Sequence, residues 1–482
     1  MVVYSLYGEP EQEITDRPFH EKCGVAGAFN VPDSSIYCFE ILSLLEHRGE
    51  KSVGIVSEHD NTLYYRRRIG KVHEQFVDFD FGKLPGNISS GHNRYATSGT
   101  SDVVDVEGGS TDTQPLIVHR SKYGRFTLSH NGTLANVEEL EKRIIDYGGT
   151  FQSSTDSELI TKSIGLQNEK TLEEALIKTL KEIPAAYSLV IQAPQKLIAL
   201  RDRYGIRPLS VGRIGEGYVL GSESYALEQF PECVDIRDMK AGEMCVFSED
   251  GMHSLQYAEP DNHFCIFEGI YFSNPRSMYN GCYHEDFRKA LGRQILEENP
   301  EIKNADIIIP VLSSGKFAAQ GLHQSSGVPY EEAFLRIQNP PRSPSRSFTA
   351  STWEQRERTV HKKLNLRKDK VYGKNVVVVD DSIVRSNTMN IINKRLREAG
   401  VKSITTAISA PTITDTCPYG IDIQTRSELV AASNSVEEIR ENIGSDKLFY
   451  LSVDGLNKIS ESHYKVGICT GCFGQKYPTF HP

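Results

Sequence analysis

Three places in this chain hold residue types that do chemistry. Cys23 heads the apolar run GVAGAFN, two carboxylates, Asp380 and Asp381, close the run VVVVDD, and Cys469 and Cys472 form a CxxC. A thiol serves as nucleophile or metal ligand once ionised, although Cys23 on its own has the setting of an ordinary core thiol. The acid pair leads into small polar residues at 382–388 and then a helical pattern from Asn390 and Ile391. A loop entering a helix N-terminus offers backbone N–H groups to an anion. Residues 382–388 are therefore expected to cradle a phosphate, and adjacent carboxylates at a strand end suit the vicinal hydroxyls of a sugar. Alone, the same pattern also describes an exposed acidic strand end before a capped helix. The CxxC alone fits zinc, an iron–sulfur cluster or a redox dithiol.

The elements that must position these residues differ between the two halves. The runs at 24–30, 188–193 and 197–202 predict strands, the last two joined as a hairpin. Apolar spacing predicts helices over 36–47, 156–165 and 171–182. The polar, Pro-containing stretch 250–263 marks a bridge between domains. Beyond it, the apolar runs at 307–312 and 376–381 each precede a helix, the second carrying Met389, Ile392, Leu396 and Ala399 on one face and stopping at Gly400. Fully apolar strands alternating with helices predict a parallel sheet covered on both faces.

Whole-chain properties narrow the class. At 482 residues two domains are expected, and 38% hydrophobic with 24% charged residues is the profile of a globular enzyme. No stretch approaches the ~18 apolar residues of a membrane helix, and residues 1–22 are acidic without an apolar core, unlike a secretory signal. A cytoplasmic protein is expected, without membrane association. The net charge of −10 argues against nonspecific nucleic-acid binding. One segment is locally cationic, with ten Lys or Arg from Arg342 to Lys374 against Glu354, Glu357 and Asp369. Nine scattered cysteines suggest no disulfide framework.

The strings EHRGEKSVGI (46–55), GHNRYATSG (91–99), TQPL (113–116), SHNGTL (129–134) and SSTDSEL (153–159) follow Cys23-Gly24 in this order. Together they resemble the class II, N-terminal-nucleophile glutamine amidotransferase domain over roughly residues 23–250. The resemblance implies removal of residues 1–22 as a propeptide, leaving Cys23 as residue one. A free α-amine of pKa ~8 then serves as general base to a thiol of pKa ~8.5. It implies that Asn131, through its side-chain amide, and Gly132, through its N–H, receive the oxyanion. Arg94 would take the glutamine carboxylate and Asp156 its α-amine. His47, His92 and His130 are assigned structural roles.

The strand, acid pair and loop at 376–388 resemble the phosphoribosyl-pyrophosphate (PRPP) motif of type I phosphoribosyltransferases. Both halves together resemble the glutamine PRPP amidotransferase family, helped by IYFSNP (270–275), SAPTITDTCPYGID (409–422) and CTGCFGQKYP (469–478). The implied fold is an αββα four-layer Ntn-hydrolase sandwich at 23–255 followed by a parallel-sheet phosphoribosyltransferase-like domain at 256–482. The implied reaction hydrolyses glutamine and places the ammonia on C1 of PRPP, with Mg²⁺ neutralising the pyrophosphate, to give 5-phosphoribosylamine for purine synthesis. Asp380, Asp381, Ser382, Arg385, Ser386, Asn387, Thr388, Arg346 and Lys363 would bind PRPP, and the two aspartates would reach Mg²⁺ through the substrate. Cys265, Cys417, Cys469 and Cys472 match the ligands of the family's branch with a structural [4Fe–4S] cluster; zinc is the competing occupant. A homotetramer and purine-nucleotide inhibitors are also implied.

Departures from the family pattern fall on the acceptor side. Ser386-Asn387-Thr388 stands for Gly-Thr-Thr, Val311-Leu312-Ser313 for Pro-Asp-Ser, Arg276 for Asp and His361 for Arg. They leave two further readings open: a paralogous amidotransferase with a different or weakened phosphosugar acceptor, and a non-catalytic nucleotide-binding regulator.

Overall fold

The computed structural model describes residues 23–95, 110–134, 137–183, 185–336, 364–421 and 425–478. The expected propeptide, Arg346, His361 and Lys363 lie outside them.

Gly24–Phe29 is the middle strand of a seven-stranded antiparallel sheet. Gly217–Gly221 and Ile88–Arg94 flank it, with Ser210–Ile214 and Cys233–Asp238 beyond on one side and Ser52–His59 and Thr62–Ile69 on the other. A second antiparallel sheet orders Gly251–Gln256, Glu243–Ser248, Lys196–Arg201, Ala185–Ala193, Phe126–Leu134 and Leu116–Val118. Side chains alternate across a strand, so Val25 and Phe29 join Val190, Leu197, Leu220 and Phe247 in a core between the sheets. Ala26 and Ala28 instead face the helix Ser34–Leu44. On the outer face of the second sheet, the helices Val137–Asp146, Asp156–Leu166 and Leu172–Glu182 bury Leu140, Ile144, Ile160, Ile164 and Leu176. Two sheets between helical layers make the expected αββα sandwich. The stretch at 250–263 is not all bridge: Gly251, at φ 95°, turns the chain so that Gly251–Gln256 forms an edge hairpin with Glu243–Ser248.

The second half is built on a four-stranded parallel sheet in the order Ile307–Pro310, Asn375–Asp380, Ser403–Ile408 and Lys447–Tyr450. Helices follow its first two strands, at Lys316–Ser326 and Asn387–Glu398. The latter starts earlier than the expected Asn390, because Ser386 in the left-handed region turns the chain and accepts from the Asn390 N–H at 2.9 Å. Asn387 and Thr388 therefore belong to the first helical turn. The halves are not separate cores, since Ala186 and Ile206 share one apolar cluster with Phe264, Ile270, Tyr419 and Cys472.

Candidate active site

Cys23 sits at the head of the central strand, half-buried. Its neighbours fix its backbone: Gly24 N–H donates to Asn93 Oδ1 at 2.7 Å, Val25 N–H to Ser222 Oγ at 2.9 Å, and Arg48 Nε to the Cys23 carbonyl at 3.4 Å. Burial raises the thiol pKa; the Tyr95 backbone and the charges of Arg94 and Arg207 oppose that rise, while Asp156 adds to it. The charges of both residues expected to hold glutamine are thus felt at the thiol.

The oxyanion candidates lie on the strand Phe126–Leu134 of the facing sheet. Asn131 is 1% exposed, and its Nδ2 has no hydrogen-bond partner. A buried amide left unpaired costs free energy unless something arrives to accept from it. Gly132 has φ 155°, and a Cβ there would run into the Ala186 carbonyl oxygen, so only glycine fits. Asp156 opens its helix and accepts from the Leu134 N–H at 3.0 Å. Arg94 is buried and leans on Asp112 Oδ2 at 3.4 Å, while Asp112 also accepts from Ser154 Oγ at 2.7 Å. Of the expected glutamine-site residues, Arg94 and Asp156 are thereby close enough to Cys23 for their charges to act on its thiol, and Asn131 and Gly132 lie on the strand that Asp156 caps through Leu134.

The histidines are locked in packing. His92 Nε2 meets the His130 carbonyl at 3.0 Å, and His130 Nδ1 meets Ser157 Oγ at 3.0 Å. Burial holds His92 down to about 3 and also lowers His130, so neither is charged near neutrality. His47, more exposed, binds Glu223 at 2.8 Å.

The acid pair lies at the end of the strand Asn375–Asp380. Ser314 Oγ donates to Asp380 Oδ1 at 2.6 Å, and Ser382 Oγ to Asp381 Oδ1 at 2.6 Å, while Asp381 Oδ2 has no partner. Burial, and for Asp380 its neighbour's charge, raise both: Asp381 to about 6, Asp380 well above the usual carboxylate range. Ser386 keeps φ 65°, the conformation glycine favours, and its buried Oγ has no partner. Arg385 is held by Glu428 at 2.6 Å. Asn387 is half-buried and Thr388 exposed at the helix N-terminus. Residues 311–315 close over the same strand end: Val311 N–H donates to the Val379 carbonyl at 2.8 Å, and a Cβ on Gly315 would strike that carbonyl.

Three chain segments bring the expected four cysteines together. Cys265 and Cys469 are paired across a short parallel ladder. The Cys472 carbonyl accepts from the Thr414 and Asp415 N–H groups, and Cys417 Sγ from the Tyr419 N–H at 3.4 Å. Burial and neighbouring thiols raise Cys417, Cys469 and Cys472. Among the described residues, no three His, Cys, Asp or Glu are gathered as a single-ion site. Cys38, Cys233, Cys245 and Cys282 are free thiols.

Sequence reasoning assigned no role to Arg48, Arg207, Glu223 or Glu268. Arg48 lies inside a quoted string, but nothing in spacing or composition ties it to carboxylates 175 and 220 positions away.

A thiol at the head of one sheet and an unpaired amide donor on the sheet packed against it, joined in one chain to a parallel sheet ending in an acid pair, define a glutamine amidotransferase that carries its own acceptor domain. A glutamine amidotransferase domain family matches residues 102–229. The chain is similar to the amidophosphoribosyltransferase of Bacillus subtilis, 36% identical over 464 residues, covering 95% of this chain and 94% of that protein. That of Archaeoglobus fulgidus is 35% identical over 467 residues, covering 95% and 98%. A solved structure described as the B. subtilis glutamine PRPP amidotransferase complexed with ADP and GMP superposes with TM-score 0.85 at 35% identity, covering 95% of this chain and 97% of that one. The chain belongs to the amidophosphoribosyltransferase family, enzymes that are both glutamine amidotransferases and pentosyltransferases. No described helix is long and apolar enough to cross a membrane.

Proposed function

We propose that this chain hydrolyses glutamine at Cys23 and transfers the ammonia to C1 of PRPP, releasing pyrophosphate and forming 5-phosphoribosylamine. The observation that carries the reading is the unpaired, buried Nδ2 of Asn131, next to Gly132 in the strand Phe126–Leu134 of the sheet that packs on the one headed by Cys23. Once residues 1–22 are removed, the Cys23 α-amine takes the thiol proton, a task made necessary by burial that disfavours the thiolate. Sulfur adds to the amide carbon, Asn131 and Gly132 receive the oxyanion, and ammonia leaves with the proton returned by the amine. Arg94 and Asp156 hold the two ends of the amino acid. Water then releases glutamate.

On the acceptor side Asp380 and Asp381 take the ribose hydroxyls, Ser382, Arg385, Ser386, Asn387 and Thr388 the phosphate, and Arg346 and Lys363 add basic contacts to PRPP. Bound through PRPP near the aspartates, Mg²⁺ would neutralise the departing pyrophosphate. Cys265, Cys417, Cys469 and Cys472 supply four thiolates suited to a structural [4Fe–4S] cluster, wider than a single ion. We place the domain division at 255/256 and assign a cytoplasmic, homotetrameric enzyme inhibited by purine nucleotides; the nucleotide complex of the B. subtilis relative supports the last point.

Ser386 and Val311-Leu312-Ser313 favour a second reading, glutamine hydrolysis feeding a different phosphosugar. Processed, cluster-loaded protein given glutamine, Mg²⁺ and PRPP separates the two. Glutamate and pyrophosphate in equal amounts support the first, glutamate alone the second, and neither product rejects both.

A further inference from the structure

Asp112 has no part in the chemistry above, yet it is 1% exposed, on a short segment just ahead of the strand Leu116–Val118. A buried carboxylate is costly unless opposite charge and hydrogen bonds compensate it. Here the compensation comes from two directions. Arg94 Nη1 lies 3.4 Å from Asp112 Oδ2. Ser154 donates its N–H to Oδ1 at 3.0 Å and its Oγ to Oδ2 at 2.7 Å. Arg94 ends the strand Ile88–Arg94 in the sheet that Cys23 heads, whereas Ser154 leads into Asp156, the first residue of a helix packed on the other sheet. One carboxylate therefore joins the residue expected to take the α-carboxylate of glutamine to the loop that carries the residue expected to take its α-amine.

The surroundings hold this anchor still. Asp112 N–H donates to Ser110 Oγ at 3.3 Å, and Thr113 N–H to the Ser110 carbonyl at 2.9 Å. Gln114 accepts from the His130 N–H at 2.7 Å and donates to Ser157 Oγ at 3.0 Å. A Cβ on Gly54 would strike the Gln114 carbonyl oxygen, so the segment is pressed against the strand Ser52–His59. Glu158 Oε2 fixes the other side of the Ser154 loop, accepting from the Gln152 and Ser153 N–H groups at 3.0 and 2.7 Å. A ligand gripped at two points profits only if their spacing matches its own; the second contact is then intramolecular and worth about 10²–10⁴ in affinity. Side chains on separate elements keep such a spacing when a shared support locks them.

We infer that Asp112 is a positioning residue that sets the spacing between Arg94 and Asp156, so that the pocket selects a carboxylate and an amine carried on one carbon and passes over amides that carry only one of them. This rests on the glutamine reading proposed above. The test is competition against glutamine hydrolysis in the processed full chain with PRPP and Mg²⁺. The competitors are glutamate, glutarate, which lacks the α-amine, and 4-aminobutanoate, which lacks the α-carboxylate. In the unaltered chain glutamate should bind at least about tenfold more tightly than either partial ligand. Asp112→Ala strands Arg94 and can compromise folding, so Ser154→Ala, which removes one hydroxyl and leaves the Arg94–Asp112 pair, carries the comparison, with thermal melting to confirm that it folds. In folded Ser154→Ala the advantage of glutamate should shrink by about threefold or more, the scale of one lost hydrogen bond, with glutamine KM rising more than kcat falls. Asp112→Asn, which keeps an acceptor for Ser154, should retain more of the advantage than Asp112→Ala. An equal loss for all three ligands, an advantage unchanged in Ser154→Ala, or none in the unaltered chain overturns the inference while leaving the glutamine reading intact. Absence of glutamine hydrolysis in the unaltered chain overturns that reading, and the inference with it.

Discussion

The glutamine and acceptor sites are built from different materials. Around Cys23 the reactive groups sit on strand interiors and on a helix start, Asn131 and Gly132 within one strand and Arg94 at the end of another. Around Asp381 they sit on loops and a helix N-terminus, where backbone N–H groups are offered to an anion alongside the side chains. An oxyanion hole depends on particular donors at particular points, so little can be exchanged. A phosphate cradle depends on backbone conformation, and Ser386 holds the left-handed turn at φ 65° without being glycine. Sequence departures therefore collect where shape can survive a change of side chain.

The largest expected effect separates the halves outright. Cys23→Ala should abolish glutamate formation while ammonium salts still drive pyrophosphate release from PRPP; persisting glutaminase activity would remove Cys23 from the mechanism. Asn131→Ala should lower glutamine-dependent kcat by about 10²–10³, the usual loss for one oxyanion donor, with ammonium-dependent turnover intact. A change confined to KM would make Asn131 a binding residue only.

The pH profile sharpens the comparison from the glutamine side. Burial disfavours the imidazolium, so His92 is held down to about 3 and His130 is lowered from the ordinary imidazole value. Glutamine kcat/KM between pH 5 and 9 should then rise about tenfold per unit below the α-amine pKa of ~8, without a limb near 6.5. A bend at 6.5 would return a histidine to the chemistry. The smallest effect lies on the acceptor side. Ser386→Gly should stabilise the chain by up to about 1 kcal/mol, the penalty of a left-handed non-glycine residue, and leave glutamine KM unchanged. Thermal melting and glutamine titration check both parts.

The architecture was legible because both periodicities are clean. Alternation in GVAGAFN sends Val25 and Phe29 inward between sheets, and the unbroken apolar run at 376–379 can only be a strand buried on both faces. The candidate glutamine site could be proposed from sequence because its residues lie in short strings that follow Cys23 in one order. What stayed hidden was long-range and ionic: Glu268 meets Arg48 across 220 positions, and a single buried Glu leaves no pattern in sequence. The helix start at Asn387 was missed for a local reason, since a serine gives no sign that it will adopt the left-handed turn. Gly251–Gln256 was read as a bridge because a solvent-facing edge strand needs no apolar alternation.

The central claim is that one chain both releases the ammonia and uses it. Glutamine labelled with heavy nitrogen in its side-chain amide, supplied with PRPP, Mg²⁺ and an excess of unlabelled ammonium to the processed protein at a pH where ammonium alone reacts slowly, tests it directly. The account predicts that the label appears in the phosphoribosylamine, trapped chemically as it forms, in amounts matching the pyrophosphate released. Label recovered only as free ammonium, with no labelled amine, would contradict it.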